Sequence, residues 1–230
     1  MKPWHWITLL FSTLCGVLIV WLLLAYGALP RLWSKHEHKL IGERDQIISY
    51  TSQDIPADPI NLRIDGSRES ISCAFRRAGW AEADRLSVRS SVGIVSSVVL
   101  RRSYPAAPVS SLYFQDRLQD VAFEIDDGRT ARRRHHVRLW RVGPHDWVGA
   151  ATFDRGVGLD LYTLQVTHHI GPDVDGERER VGALLKQSGG RYTGSQPSRL
   201  TPGVWHRNGG GDRYRTDGQI KAYALAPVSC

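Results

Sequence analysis

Two adjacent histidine pairs, His135-His136 and His168-His169, are where this sequence offers the most chemistry. Each pair lies in a strand-like run, "RRHHVRLWR" at 133–141 and "LYTLQVTHHI" at 161–170. Side chains alternate across a strand, so each pair must split between two faces. His135 falls with Val137 and Leu139, and His168 with Leu164, Val166 and Ile170. His136 falls with Arg134, Arg138 and Trp140, and His169 with Gln165 and Thr167. Two sites are expected from this pattern. One faces inward, where His135 and His168 share a divalent metal such as zinc with Asp154, leaving water as the fourth ligand. The other faces outward, with His136 and His169 as acid–base groups, Asp154 as a carboxylate partner, and Arg134 and Arg138 holding an anion. The plain alternative is that the inward histidines are buried and hydrogen-bonded, as most buried polar groups are.

No compact metal or nucleotide motif supports these residues. H-E-x-x-H, C-x-x-C and the phosphate-binding glycine loop are missing, so any site built on these histidines must be assembled from separate strands. The acids of "GPDVDGERE" at 171–179 admit two readings. Asp173, Asp175 and Glu177 could ligate a hard cation, but acids at the start of a helix also cap it and oppose its dipole, and that reading is preferred. "DRGVG" (154–158) and "NGGGDR" (208–213) could offer backbone N–H groups to a phosphate beside Arg155 or Arg213, although such glycines more often serve turns.

The elements that must position these residues follow an α+β pattern. Ser67 is a suitable N-cap for a helix whose Ile71, Ala74, Phe75 and Ala78 form one apolar stripe, ended by Gly79. Strands are expected at 92–100, 119–125, 133–141, 147–154 and 161–170, with a proline-broken loop over 103–114. A second helix runs from Asp175 to about Gln187, and two further strands meet at Asp217-Gly218. Consecutive short strands with short connections predict a mainly antiparallel sheet with flanking helices.

Ahead of this domain, Pro3 to Pro30 contains no Asp, Glu, Lys or Arg. Ile7 to Leu29 would reach roughly 35 Å as a helix at about 1.5 Å per residue, enough to cross a hydrocarbon core of about 30 Å. The run is too long for a signal peptide and lacks its cleavage pattern. The expected organisation is a single-pass anchor over 1–33, a juxtamembrane stalk over 34–57 closed by Pro56 and Pro59, and one globular domain over 58–227. Counting only Lys and Arg would put that domain in the cytoplasm, but long domains cross despite such a bias, so the side stays open. Of three cysteines, Cys15 lies in the span, and the spacing of Cys73 and Cys230 does not suggest a bridge; Cys73 is expected to pack as a small apolar residue.

The chain carries a net charge of +7, and beyond the stalk every basic residue except Lys186 and Lys221 is arginine. Acids are interleaved throughout, so no nucleic-acid partner is expected. The partners that fit are the lipid bilayer, anionic lipid, or a polytopic membrane protein.

Several long segments, "DPINLRIDGSRES", "QDVAFE", "RRHHVRLW", "WVGAATFDRGVGL", "VTHHIGPDVDGERE" and "RNGGGDRYRTDG", resemble the LssY carboxy-terminal domain family of bacteria from about Asp58 to Leu225. The resemblance implies a setting near lipid and envelope biology, because similar domains are attached to DedA-like and phosphatidic-acid-phosphatase-like membrane modules. It implies no catalytic residues. Two functions follow as expectations: a membrane-anchored hydrolase of phosphate-bearing lipid or envelope substrates, or a non-catalytic module that binds anionic lipid or a partner membrane protein.

Overall fold

With no charge to solvate, the amino-terminal segment forms a helix without a polar face. In the computed structural model, which describes residues 3–41, 47–83, 109–128, 133–160, 162–228 and 230, α1 (Pro3–Leu23) runs through one π-helical turn (Leu24–Ala28) into α2 (Leu29–Ile41). The stretch Trp4–His36 spans 33 residues, and its most apolar window has mean hydropathy 2.5 and lies unburied. This helix is long and apolar enough to cross a membrane.

The rest is α+β, mainly antiparallel, as the sequence predicts. Four short strands, β1 (Ile48–Thr51), β2 (Pro56–Pro59), β5 (Leu112–Phe114) and β6 (Arg117–Leu118), form a small sheet in the order β2-β1-β5-β6. The main sheet is built from β3 (Leu62–Asp65), β4 (Ala81–Glu82), β7 (Val121–Asp126), β8 (Arg134–Arg141), β9 (Asp146–Leu159), β11 (Arg191–Pro197) and β14 (Gln219–Ala224). Its order is β11-β14-β3-β9-β8-β7-β4, and β10 (Val166–Ile170) pairs with the far half of β9. Among the described strand pairs, only β14 and β3 run parallel. A separate hairpin joins β12 (Trp205–Arg207) to β13 (Arg213–Arg215).

Helices α3 (Arg68–Arg77) and α4 (Val174–Gln187) start where short polar side chains can hold free N–H groups. Ser67 Oγ accepts from Ser70 N at 3.1 Å, and Asp173 Oδ1 accepts from Gly176 N at 2.8 Å. Both pack on one face of the main sheet, where Ile71, Phe75, Val181 and Leu185 bury Leu62, Ile64, Phe123, Val137 and Leu139. The opposite face carries Ile60, Trp140, Ala150 and Ile220 packed with Leu112 of the small sheet. The main sheet is therefore covered on both sides, and Arg134 through Trp140 are all buried.

Several expectations change. Residues 48–51 and 56–59, read as the end of the stalk, are strands of the small sheet. The strand expected at 161–170 begins only at Val166, because Asp160 Oδ1 accepts from the N–H of Tyr162 and Thr163 and turns the chain there. Strands do flank Asp217-Gly218, with β13 before it and β14 after it. Cys73 and Cys230 form a disulfide, which spacing alone did not suggest because the fold brings together residues 157 positions apart. The strand expected at 92–100 and the loop start at 103–108 lie outside the described residues.

A Cβ added at Gly182 of α4 would overlap the Tyr223 phenol of β14. Gly182→Ala should therefore lower stability by about 1–3 kcal/mol through overpacking, measured as a shift in the urea midpoint of the detergent-solubilised chain.

Candidate functional site

Register decides which histidines meet. On β8 and β9, Arg134 lies opposite Asp154, His136 opposite Thr152, and His135 opposite Phe153. A bulge between His169 and Ile170 shifts β10 against β9, so that Ile170 pairs with Asp154. His168, two residues before Ile170, then shares the face of Asp154, His136 and Arg134, while His135 is on the other side of the sheet.

This overturns the inward trio of His135, His168 and Asp154. His135 faces the helices, with Nδ1 2.8 Å from Glu177 Oε2 of α4 and its ring 4.8 Å from Phe153. Among the described residues, no three His, Cys, Asp or Glu side chains converge into a metal-holding group. The outward site also differs from expectation, because the small sheet covers that face. Arg134 is 1% exposed and Arg138 4% exposed, so neither stands ready at a surface for an anion.

Instead these residues make a buried ion network. Arg134 Nη1 donates to Glu124 Oε2 at 2.7 Å, its Nε reaches Asp154 Oδ2 at 3.5 Å, and its Nη2 lies 3.3 Å from His168 Nε2. Arg138 Nη1 donates to Asp58 Oδ2 at 2.6 Å and lies 2.6 Å from His136 Nε2. His136 Nδ1 is 3.3 Å from Asp154 Oδ2, and its Nε2 is 2.7 Å from Thr152 Oγ1. A cavity of about 90 Å³ adjoins this network, lined in part by His136, Asp154, His168, Asp160 and Asp212.

Burial and neighbouring charge push the two carboxylates apart. Burial raises the Glu124 carboxyl to about 8, outweighing the pull of Arg134. Burial also works to raise Asp154, but His136, His168 and Arg134 overcome it and hold that group well below the ordinary carboxylate range. Burial would lower His136, yet Asp154 more than offsets this and raises it. His168 is pushed down by burial to about 4, with Arg134 opposing its protonation and Asp154 favouring it. At neutral pH Asp154 is the anion of the network, and Glu124 and His168 are neutral.

His169 stands apart, on the opposite face of β10. Its Nδ1 lies 3.0 Å from Asp212 Oδ1, and its side chain is about one-quarter exposed. Asp212 is buried, and its Oδ2 also accepts from Ile170 N at 3.0 Å, while Arg155 Nη2 donates to Oδ1 at 2.8 Å. Gly158 leaves room for the ring: a Cβ there would come within 2.8 Å of His169 Nε2. Arg155, Tyr162, His169, Gly210, Gly211 and Asp212 line a cleft of about 370 Å³. Gly210 and Asp212 form the wall it shares with the smaller cavity.

Asp212, Glu124, Asp58 and Tyr162 are the members sequence reading missed. The only signal for Asp212 is its place after a triple glycine, a stretch that reads as a turn first and as a phosphate cradle second. In the structure Gly209 N donates to Pro56 O, Gly211 N to Asn208 O and Asp212 N to Asn208 Oδ1, so those three amides hold the loop together. Asp173 caps α4, Asp175 accepts from Arg178 and Thr216, and Glu177 takes His135, so these acids serve the fold.

The LssY C-terminus family model matches residues 43–220. The chain belongs to this family. No curated protein and no solved structure matches it. The match to the LssY C-terminus model takes in the small sheet, the main sheet as far as the start of β14, the ion network and the His169 cleft, and stops before Cys230.

The network titrates with two opposed senses. His168 has a folded value near 4 against 6.5 unfolded, so its contribution is lost as pH falls from 6.5 to 4, at about 1.4 kcal/mol per unit. Glu124, near 8 folded against 4.5 unfolded, contributes fully below 4.5 and loses that contribution as pH rises through 8. Glu124→Gln should therefore flatten the alkaline limb and keep the acid limb, read from urea midpoints between pH 4 and 8.

Proposed function

We propose that this LssY C-terminus domain is a membrane-anchored hydrolase of a phosphate-bearing lipid or envelope substrate, with His169 as its acid–base group. The observation that carries the reading is the His169–Asp212 pair at 3.0 Å in an open cleft beside Arg155. A buried carboxylate on Nδ1 holds the proton there and leaves the Nε2 lone pair to take a proton from water. The resulting hydroxide attacks phosphorus, the ester oxygen leaves, and the imidazolium returns the proton to that oxygen. Water and ester become alcohol and phosphate. Arg155, whose side chain is 55% exposed, faces the charge that develops on the phosphoryl oxygens. The ion network behind the cleft positions β9 and β10 and takes no part in proton transfer. His136, Asp154, Arg134 and Arg138 thus become positioning residues in this reading.

The finer placement follows from two observations. The Trp4–His36 helix supplies the single-pass anchor. The Cys73–Cys230 disulfide supports a domain on the oxidising side of that membrane, since such bonds persist there and are rare in the cytosol. In a Cys15→Ala background, chain trapped with acid from intact cells should take no maleimide until reduced, and two equivalents afterwards. Two equivalents without reduction would place the domain in the cytosol.

His169→Ala and Asp212→Asn should each lower hydrolysis of a phosphomonoester and phosphodiester panel by about 10²–10⁴-fold, with folding checked by circular dichroism. Gly158→Ala, which crowds Nε2 and leaves both residues in place, should give a smaller loss. Undiminished turnover in His169→Ala ends the hydrolase reading. Salt-sensitive vesicle binding lost in Arg155→Ala, without turnover by the wild type, would instead assign the accessory, anionic-lipid-binding role.

A further inference from the structure

The helix that crosses the membrane is also a wall support of the cleft. Trp33 of α2 stacks on Tyr162, with ring centroids 3.9 Å apart and planes 4° apart. Its Nε1 donates to Gly209 O at 2.7 Å, next to the Gly210 and Gly211 that line the cleft. Arg207 lies over both rings, 5.7 Å from Trp33 and 5.6 Å from Tyr162. Ser34 Oγ donates to Asp54 O at 3.2 Å, and Gln53 Nε2 to Tyr26 O at 3.4 Å, so the domain reaches back along the helix to its last apolar turn.

These contacts fix the depth of the cleft. The uncharged run from Ile7 to Leu29 fills a hydrocarbon core of about 30 Å, and the head-group layer adds about 5–7 Å on each side. Trp33 stands one helical turn beyond Leu29, about 6 Å at 1.5 Å per residue, which is inside that layer. Tyr162, in face-to-face contact with Trp33, is at the same level. The rim agrees, since Leu159, Tyr162 and Leu164 expose 50%, 38% and 36% of their surface around the turn that leads into β10. A loop that presents three large apolar side chains beside an interfacial tryptophan is suited to rest against lipid.

We infer that the ligand of the His169–Arg155 cleft is the phosphate head group of a lipid in the same bilayer, and not a soluble phosphate ester. This rests on the hydrolase reading for its chemistry and on the Trp33–Tyr162 stack for its source. The cleft is open enough, at about 370 Å³, for a head group, and its depth lets a lipid enter with its acyl chains still in the membrane. Arg155 supplies the cation that meets the phosphate, and His169 is its neighbour on the same Asp212 oxygen.

The test uses the full chain in phosphatidylcholine vesicles doped with phosphatidylethanolamine that carries a diazirine on its head-group amine. In one arm the probe shares the protein's vesicles. In a second it sits in separate, protein-free vesicles, and in a third it is the water-soluble glycerophosphoethanolamine bearing the same group. Labelling of peptides within 155–162 and 205–213 is expected in the first arm alone, and should fall about tenfold in Arg155→Ala, the loss of one charge-assisted contact. Equal labelling by the soluble probe, labelling confined to α1, or labelling indifferent to Arg155→Ala would overturn the inference. The hydrolase reading is scored separately by turnover in the same samples. Fast turnover of soluble esters with no lipid labelling sinks this inference and leaves the hydrolase. Lipid labelling with turnover unchanged in His169→Ala does the reverse.

Discussion

The arrangement hangs on a charge problem set by β8. Because helices cover one face of the main sheet and the small sheet covers the other, Arg134, His136 and Arg138 have no route to bulk water. A lone buried charge costs several kcal/mol, so each must find an opposite partner inside the protein. Asp154 answers the charge of Arg134, with the neutral Glu124 accepting a hydrogen bond from it, and Asp58 answers Arg138. These partners come from β9, β7 and β2, so satisfying β8 locks the register of three strands and ties the small sheet to the main one. A slip of one residue would turn the arginines into the apolar core against α3 and α4, and every ion pair would be lost together. Replacing such a network by apolar residues often costs little stability. Its retention here is better explained by the single register it enforces than by the energy it adds.

That register reaches the cleft through Asp154. The strand continues past it into Arg155 and Gly156, and the bulge opposite lets His168 turn toward the network while His169 turns toward Asp212. Asp212 is the second node. It accepts from Ile170 N and from Arg155 and pairs with His169, while its own N–H donates to Asn208. It therefore joins β10 to the glycine loop, and that loop is the one the membrane-proximal Trp33 holds through Gly209. The imidazole, the guanidinium and the amino-terminal helix are linked by one short chain of contacts.

Much of the frame was legible from the residues alone. The 3.6-residue stripe and Ser67 cap of α3, the strands at 121–126 and 134–141, and the charge-free helix each follow from local pattern. The site was legible in its members and not in their grouping. Alternation correctly separates His135 from His136, but it cannot say which face of one strand matches which face of another. That depends on register, and the bulge after His169 reverses the simple assignment. Burial of both faces was hidden for a related reason: β8 reads as apolar on one side and cationic on the other, which normally marks a solvated face. Asp212 and the disulfide were invisible because their partners are 43 and 157 residues away, distances at which no local rule operates.

For the proposed hydrolase, the network also accounts for why one of four clustered histidines is the candidate for proton transfer. Exposure does not separate His168 from His169, since about a quarter of each side chain is accessible. Charge does. His168 would have to gain its proton with the Arg134 guanidinium 3.3 Å from Nε2, and burial compounds that cost. His136 is fully enclosed and held toward its charged form by Asp154, so its proton has nowhere to go. His135 faces Glu177 beneath the helices, away from the cleft. Of these four, His169 combines a buried carboxylate on one nitrogen with an open cleft, so in the proposed reaction Asp212 would match the cationic form as it arises. The same physics that forces the arginines of β8 into ion pairs engages their neighbouring histidines too, and leaves the imidazole on the far side of β10 as the proposed acid–base group.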